Sequence, residues 1–437
     1  MLDRFFGLKN RRREVQPDVF FGRYSDNNKT VEKTKQWNLA EELFKKKKYL
    51  ESIESFFIYL RDEKVNNTLF TKTTEGFTFN IFQGSKIIKG YGEKDHLHVR
   101  VRMAQMSQAS VPVMRRLLEC NYQLYYSRFS LNNEDLVMQF DGEIATANPN
   151  KLYYALKELC TTADKQDDLL IHDFALLESI DSDHILPIPE SEKEVKYKFL
   201  IQWTDECIQL VKELDIEKFT GGISFLILAL IFRIDYLITP EGNVMHELEK
   251  IQAVYFKKDN LSAIEKNRIM LTALEKFRSH SKEEFMQGLI RTVSTFSIRQ
   301  PKNQHVISDS IAAANKNINW YNDNQQPIIA KQISEYAISF CQYSYSLPKL
   351  ISEFFQVFMQ VNYPDYFKML GFTETLFSPE ANRFKIEEIE HKIREIEKQW
   401  KSKYLRLSFH VSKLKYDSLL NFNMSFTNSL ADLDLET

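Results

Sequence analysis

The chain has 437 residues, with 58 lysines and arginines against 60 aspartates and glutamates, and a formal net charge of −2 at pH 7. Proteins that bind nucleic acids usually carry an excess of basic residues. The balance of charges here excludes such an excess, so we expect no nucleic-acid partner. The length predicts two or three domains. A content of only 12 glycines and 11 prolines favours helices over an all-β architecture.

Residues 1–29 form an N-terminal extension without a sustained hydrophobic period. The extension contains a basic cluster, for which two interpretations are open: Lys9, Arg11, Arg12 and Arg13. The cluster is either a solvated terminal charge that needs no partner or a weak contact with anionic lipid or nucleic acid. The apolar residues before it are few and interrupted by charges, so no secretion signal is predicted.

Residues 30–60 show the period of an amphipathic helical hairpin. Thr30 can cap a helix over 33–45, and a second helix carries Ile53 and Phe56 among apolar residues at three- and four-residue spacing. These positions resemble those of one tetratricopeptide-type hairpin, but no second copy follows at the required period. We therefore expect the hairpin to pack on the domain that follows it.

An antiparallel sheet interrupted by one helix is predicted next. Alternation over 69–91 indicates a meander, and 97–103 is a half-buried strand. The wet face of that strand is basic and carries His96, His98, Arg100 and Arg102. After it the sequence predicts a helix, two strands and a closing helix, at 113–120, 122–129, 136–140 and from 149 onward. We therefore expect an α+β domain over 30–180, an antiparallel sheet with flanking helices.

The remainder of the chain is predicted to be helical. Residues 179–192, with two prolines among acidic residues, are the best linker candidate. Every strong pattern beyond it is helical, which predicts an all-α domain over 190–425 and a flexible, acidic tail at 426–437. Apolar residues over 386–400, four isoleucines and then Trp400, repeat at three- and four-residue spacing. This spacing predicts a long amphipathic helix that could pack at an interface.

Two features favour a soluble, cytoplasmic protein. The four cysteines contain no Cys-x-x-Cys pair, which suits free thiols in a reducing compartment: Cys120, Cys160, Cys207 and Cys341. The most apolar stretch, 223–238, includes Arg233 and Asp235. It is shorter than the roughly 20 apolar residues of a membrane span. We expect a buried core helix there and no membrane span.

The order of elements over 37–168 resembles the YbjN-like family, whose members share the fold of type III secretion chaperones. The pieces that carry the resemblance are the helix over 52–60, the strand Phe77-Thr78-Phe79-Asn80-Ile81, the strand over 97–103, the run 113–122 with its Leu-Leu-x-x-Asn-Tyr ending, and the closing hairpin over 129–138. The resemblance covers about a third of the chain. It does not extend to the long helical C-terminal half.

The resemblance carries expectations about function. It implies a bacterial, non-enzymatic protein that acts as a chaperone-like protein-binding module or as a regulator of sensory transduction. It also implies a homodimer formed through a sheet–helix surface. Because the shared motif is structural, the resemblance by itself assigns no catalytic residue.

No constellation of catalytic residues or cofactor ligands is visible in the sequence. His96 and His98 offer two imidazoles on one strand face, yet zinc usually takes three protein ligands, so we expect a solvated face and no metal. The polar cluster of Asp167, Asp168, His172 and Asp173 is interpreted as a helix end and loop. There is no Gly-rich phosphate loop or nucleophile elbow, so neither a cofactor nor an enzymatic activity is predicted.

Binding has a better physical basis than catalysis. A one-layer sheet with helices on one side leaves its other face, or an edge strand, available to a partner. The same aromatic side chains also suit the domain's own core, so both interpretations stay open. The candidate binding residues are Phe77, Phe79, Arg100, Arg102, Tyr122 and Tyr126.

The sequence therefore predicts a cytoplasmic, non-catalytic protein-binding protein with an unidentified protein partner. One alternative is a helical scaffold whose partner docks on the C-terminal helices. The other is an enzyme with a site between the two domains. A large exposed apolar patch on the sheet would favour binding there, and full coverage of the sheet by helices would disfavour it. A deep polar pocket with strongly shifted carboxylates between the domains would instead favour the enzyme.

Overall fold

The architecture is that of a computed structural model, which describes residues 17–26, 29–181 and 185–436. The predicted basic cluster at 9–13 lies outside the described residues. Two regions are recognisable: a sheet region, residues 31–181, and a helical region, residues 185–436.

The sheet region opens with the predicted hairpin, helices α1 (Val31–Lys45) and α2 (Tyr49–Leu60). The Thr30 side chain accepts a hydrogen bond from the backbone N–H of Lys33, which satisfies an otherwise free donor of the first turn. The Ser52 hydroxyl donates to the carbonyl of Ala40 at 2.7 Å and ties the two helices together. The aromatic face of α2 is buried, so the hairpin packs on the domain as expected.

The sheet is antiparallel, with strand order β1-β2-β3-β4-β6-β5. Its strands are β1 (Thr68–Lys72), β2 (Gly76–Gln83), β3 (Lys86–Glu93), β4 (His96–Gln105), β5 (Arg128–Asn132) and β6 (Asp135–Glu143). Helix α3 (Val111–Asn121) connects β4 to β5. Side chains alternate between a buried and a wet face along β2, β3 and β4, as the period of two requires.

Helix α4 (Pro149–Asp173) covers the buried face by packing against β2, β3, β4 and β6. The Asn148 side chain caps it by accepting from the backbone N–H of Lys151. The predicted antiparallel sheet with flanking helices is thus confirmed. The 25-residue length of α4 corrects the interpretation of Asp167 and Asp168, which lie inside this helix and not in a terminal loop.

The second region is dominated by helices, as predicted. They are α5 (Glu190–Glu213), α6 (Thr220–Arg233), α7 (Gly242–Phe256), α8 (Ala263–Arg278), α9 (Lys282–Gln287), α10 (Gln304–Asn315), α11 (Ile318–Asp323), α12 (Pro327–Ser344), α13 (Lys349–Asn362), α14 (Pro364–Met369), α15 (Ile386–Trp400) and α16 (Leu419–Ala431). The short strand β7 (Glu178–Ser179) belongs to the sheet region, where it pairs with β4. The short strands of the second region are β8 (Leu186–Pro187), β9 (Ile290–Arg291), β10 (Gln300–Pro301), β11 (Tyr345–Ser346), β12 (Phe377–Ser378) and β13 (Arg383–Phe384).

The core helix of this region is α6, which continues into a π-helical turn, Ile234–Ile238. The combined stretch Thr220–Ile238 is long and apolar enough to cross a membrane, but 89% of its apolar window is buried inside the protein. A helix that is apolar all round and surrounded by protein is typical of the centre of a large core. The predicted core helix is therefore present at this position.

The predicted C-terminal tail differs from the structure. Helix α16 runs across the predicted boundary at 425, and Phe426 and Leu430 on it are buried. These residues continue the spacing of Phe422 by one and two further helical turns. The polar residues between them, which include the fully buried Thr427, conceal this pattern in the sequence.

Candidate interaction surface

Two of the predicted binding residues, Phe77 and Phe79, lie in the core. The register of β2 and β3 pairs Phe77 with Gly92 and Phe79 with Gly90, and each ring packs closely over its glycine partner. Both side chains are almost fully buried. Of the two open interpretations, core packing therefore applies to these two residues, because the glycines opposite them leave space that the domain fills itself.

The predicted basic pair lies on the wet face of the sheet and is engaged there. Arg102 donates to both Asp135 carboxylate oxygens, at 2.8 and 3.1 Å, and to Asp181 at 3.1 Å. The hydrogen bonds with Asp135 raise the pKa of the guanidinium. Arg100 donates to the amide oxygen of Gln139 at 3.3 Å. The wet face is thus polar, as the sequence predicts, and both arginines are paired with neighbouring polar side chains.

The two histidines of this face also have local partners. His96 lies 2.6 Å from Asp95, and His98 lies 2.9 Å from Asp141. Their rings stack on one another, and His98 also stacks on Tyr91. In the residues that the structure describes, no group of three or more histidine, cysteine, aspartate or glutamate side chains is arranged to hold a metal ion.

The predicted tyrosines lie in a loop, residues 122–127, between α3 and β5. The sequence predicts a strand over 122–129, but β5 begins only at Arg128. The Glu158 carboxylate on α4 accepts hydrogen bonds from three backbone N–H groups of the loop, at 2.8 to 2.9 Å, and from the Ser127 hydroxyl at 2.7 Å. This anchor turns the loop outward and leaves Tyr122 and Tyr125 93% and 91% exposed.

Asn121 fixes the start of the same loop. Its side-chain amide donates to the carbonyl of Phe129 at 3.1 Å and accepts from the backbone N–H of Phe129 at 2.7 Å. The amide thereby takes the place of a neighbouring strand at the edge of the sheet, where backbone groups otherwise lack partners. Together, Asn121 and Glu158 hold the tyrosine loop in a defined position.

Helix α3 presents an exposed apolar stripe that continues into this loop. Its inner face buries Val113 and Leu117, whereas Val111 and Leu118 on the outer face are 73% and 67% exposed. We use the name α3 surface for the exposed residues Val111, Arg115, Leu118, Tyr122 and Tyr125, together with Met114, which is partly buried against the sheet-region core. Their spacing follows one side of the helix, a signal that is visible in the sequence. Of these residues, only Tyr122 is among the predicted binding residues.

Two shallow depressions lie along the α3 surface. The larger has a volume of about 600 Å³ and is lined by residues of α3, the loop and α4, among them Arg115, Arg116, Leu118 and Tyr122. The smaller, about 320 Å³, lies beside Val111, Met114 and Leu118. The Cys120 thiol lines the larger depression, but burial raises its pKa, so it lacks the character of an activated nucleophile.

A second cluster of functional groups lies on α4, where the two regions meet. Asp164 and Asp168 are largely enclosed, and burial raises their pKa values to about 7 and about 8. Asp167 pairs with the buried Lys86 at 3.0 Å. None of these carboxyls lines either depression on α3. The i, i+3, i+4 spacing of the three aspartates is the sequence signal that places them on one face of a helix.

Comparison with known proteins does not identify a family for this chain. No family model matches this chain, and no curated protein matches it.

Proposed function

We propose that the protein is a non-catalytic, protein-binding module, chaperone-like or regulatory, which associates with its partner through the α3 surface. The observation that carries the proposal is the exposed apolar stripe of Val111, Leu118, Tyr122 and Tyr125 on elements that are held in place. Exposed apolar groups that are contiguous and rimmed by polar residues mark interaction sites. Tyrosine is, moreover, enriched among residues that dominate binding energy.

The fold supports this proposal by resemblance. The elements follow the order expected from the YbjN-like family and the type III secretion chaperones: a helical hairpin, a meander, a helix, two strands and a helix. We include membership in that group in the proposal. The asparagine of the Leu-Leu-x-x-Asn-Tyr junction, Asn121, has a clear structural role as the partner of Phe129. A cytoplasmic location belongs to the same proposal.

The chemistry of the α3 surface defines the partner. An amphipathic helix can lay an apolar face along the stripe, with contacts at three- and four-residue spacing. Two arginines, Arg115 and Arg116, and one acidic residue, Glu119, line the larger depression, so acidic side chains flanking that apolar face would be complementary to the arginines. Because the loop is already anchored on Glu158, little ordering cost is added on association.

The two alternative functions have weaker support. The amphipathic helix α15, on which a scaffold role would depend, buries Ile389 and Ile393 and packs against α13, so its apolar stripe is used internally. An enzyme between the regions would use the carboxyls of Asp164 and Asp168. Such a site needs a substrate-sized opening, and both depressions described above lie on α3.

The proposal is tested with the full-length chain, because Phe296 of the helical region is part of the sheet-region core and a truncated fragment would lack it. Wild-type protein and the variants Leu118→Asp and Tyr122→Ala are used as baits in extracts, and dissociation constants are then measured with the purified partner. Loss of a tyrosine hot spot costs about 2 kcal/mol or more, so we expect binding at least about 30-fold weaker.

The matched control is Leu405→Ala, since Leu405 is equally exposed but lies in the helical region. It should bind like wild type. Equal binding by all variants would contradict the proposal, and loss of binding with Leu405→Ala alone would favour the scaffold. The resemblance also implies a homodimer, which sedimentation of the purified chain would detect. If the α3 surface forms that dimer, wild type should sediment as a dimer and Leu118→Asp as a monomer.

A further inference from the structure

The sheet region and the helical region meet at a specific junction, the β2–β3 turn against residues 292–296. The side-chain oxygen of Gln83 accepts from the backbone N–H groups of Thr295 and Phe296, at 3.1 and 2.9 Å. The backbone N–H of Gly84 donates to the carbonyl of Val293 at 3.0 Å. The Thr295 hydroxyl lies 2.9 Å from the Phe82 carbonyl. These contacts join residues more than 200 positions apart.

A cluster of acidic side chains surrounds this turn. Asp164 accepts from the backbone N–H of Ser85 at 3.1 Å, and Asp167 accepts from the Ser85 hydroxyl at 2.7 Å. From the other region, Glu241 accepts from the Thr292 hydroxyl at 3.3 Å, and its own backbone N–H is bound to the Gly288 carbonyl. The Asp168 carboxylate faces the helical region, since its nearest oxygen would lie 3.5 Å from a Cβ built at Gly242, the first residue of α7. The cluster therefore contains carboxyls from both sides of the junction.

The charges in this cluster do not balance when every carboxyl is ionised. Lys86 is paired with Asp167 at 3.0 Å, and Arg23 is paired with Asp235 at 2.6 Å. One carboxylate oxygen of Asp167, Oδ1, has no hydrogen-bond partner among the described residues. The titratable groups that face the cluster from neighbouring elements are Lys86, Arg23, Asp235, Arg299, Glu241, His246, Glu249 and Lys165.

We infer that the junction is a pH-dependent latch between the two regions. It is closed while Asp164 and Asp168 are neutral carboxylic acids, and it loosens when both become carboxylates beside Asp167 and Glu241. This device is independent of the α3 surface and of any partner bound there.

The direction of the pH effect follows from proton binding. Burial, followed by the neighbouring acidic groups, raises the pKa of Asp164 to about 7 and that of Asp168 to about 8. Their solvated values are near 4, so the closed state binds more protons than the open one between these limits. Closure is therefore favoured at low pH and lost as the pH rises through 7 to 8. Burial lowers the pKa of His246, which is thus largely neutral over this range.

The test is hydrogen–deuterium exchange of the full chain at pH 6.5 and pH 9, corrected for intrinsic exchange. Peptides covering 80–88 and 288–297 should exchange at least about tenfold faster at pH 9. Reference peptides from β4, β6 and α6 should keep their protection. Unchanged junction peptides, or equal loosening of the reference peptides, would overturn the latch.

Variants assign the effect to the two carboxyls. Asp164→Asn and Asp168→Asn keep a neutral, hydrogen-bonding side chain, so their combination should remove most of the difference between the two pH values. Asp173→Asn is the matched control, since Asp173 is an exposed residue of the same helix, and it should behave like wild type. A pH difference that persists in the double variant would refute the assignment. If the double variant fails to fold at pH 6.5, the wild-type profile still decides whether the latch exists.

Discussion

Gly90 and Gly92 of β3 lie directly beneath the rings of Phe79 and Phe77. A Cβ added at Gly90 would lie 2.1 Å from the Phe79 ring, too close for any real contact. We expect Gly90→Ala to lower the free energy of unfolding by about 1–3 kcal/mol, because the ring has to move within a packed core. Urea titration followed by circular dichroism measures this loss.

Gly142→Ala on β6 is the matched control for that substitution. The nearest atom to its added Cβ is Phe140 Cζ at 3.7 Å, which is an ordinary van der Waals contact. This variant should therefore unfold within about 0.5 kcal/mol of wild type. If Gly90→Ala were equally neutral, the close ring–glycine contact would not constrain this part of the sheet.

These glycines also explain how far single residues could be predicted from the sequence. Alternation along β2 correctly places Phe77 and Phe79 on one face, but it does not tell whether that face is the covered one. The exposure of Tyr122 and Tyr125 depends on Glu158, which is more than 30 residues away in sequence. Such long-range hydrogen bonds have no local signal in the sequence, so the alternation over 122–129 predicts a strand where the structure has a loop.

At the scale of elements, α6 and α12 are joined by a buried ion pair. Arg233 donates to both carboxylate oxygens of Glu335, at 2.8 and 3.2 Å. The guanidinium lies 4.5 Å from the ring centre of Tyr363 and 5.4 Å from that of Trp203. Aromatic faces and a carboxylate thus surround a cation that lacks access to water.

We expect Glu335→Gln to destabilise the protein by about 3–5 kcal/mol, since it leaves a buried guanidinium without its counter-charge. Thermal unfolding followed by circular dichroism measures the effect. Asp205→Asn breaks the exposed pair with Arg278 and should cost less than about 1 kcal/mol. Similar losses of stability in the two variants would contradict the expectation that a buried ion pair costs more to break than an exposed one.

The elements themselves were largely predictable because apolar spacing determines which face of a helix is buried. Helix α4 shows where that rule fails. Its C-terminal half contains Asp164, Asp167 and Asp168, residues that locally favour caps and turns over helix interiors. Asp164 is stabilised by its contact with Ser85, and Asp167 by its contact with Lys86. Those contacts depend on the tertiary structure, so the helix end was predicted too early.

At the scale of the whole molecule, the two regions share part of one core. Phe296 of the helical region belongs to the hydrophobic core of the sheet region, and its ring lies 5.4 Å from that of Tyr153 in an edge-to-face contact. The predicted linker at 179–192 contributes β7, which pairs with β4, and β8, which pairs with β9. The sequence therefore locates the change from mixed to helical structure, but it does not reveal that residues 292–296 return to the sheet.

Phe296 is the residue whose removal should uncouple the regions. Phe296→Ala loses a fully buried aromatic ring, which costs about 3–5 kcal/mol in a well-packed core. Because that ring is anchored in the helical region, the loss falls on the interface. We therefore expect wild type to unfold in one calorimetric transition and Phe296→Ala to unfold in two. Ile298→Ala, at an exposed position two residues away, should retain one transition. A single transition at lower temperature in Phe296→Ala would contradict this expectation. It would show that the hydrogen bonds of Gln83 and Thr295 are enough to keep the unfolding of the two regions cooperative.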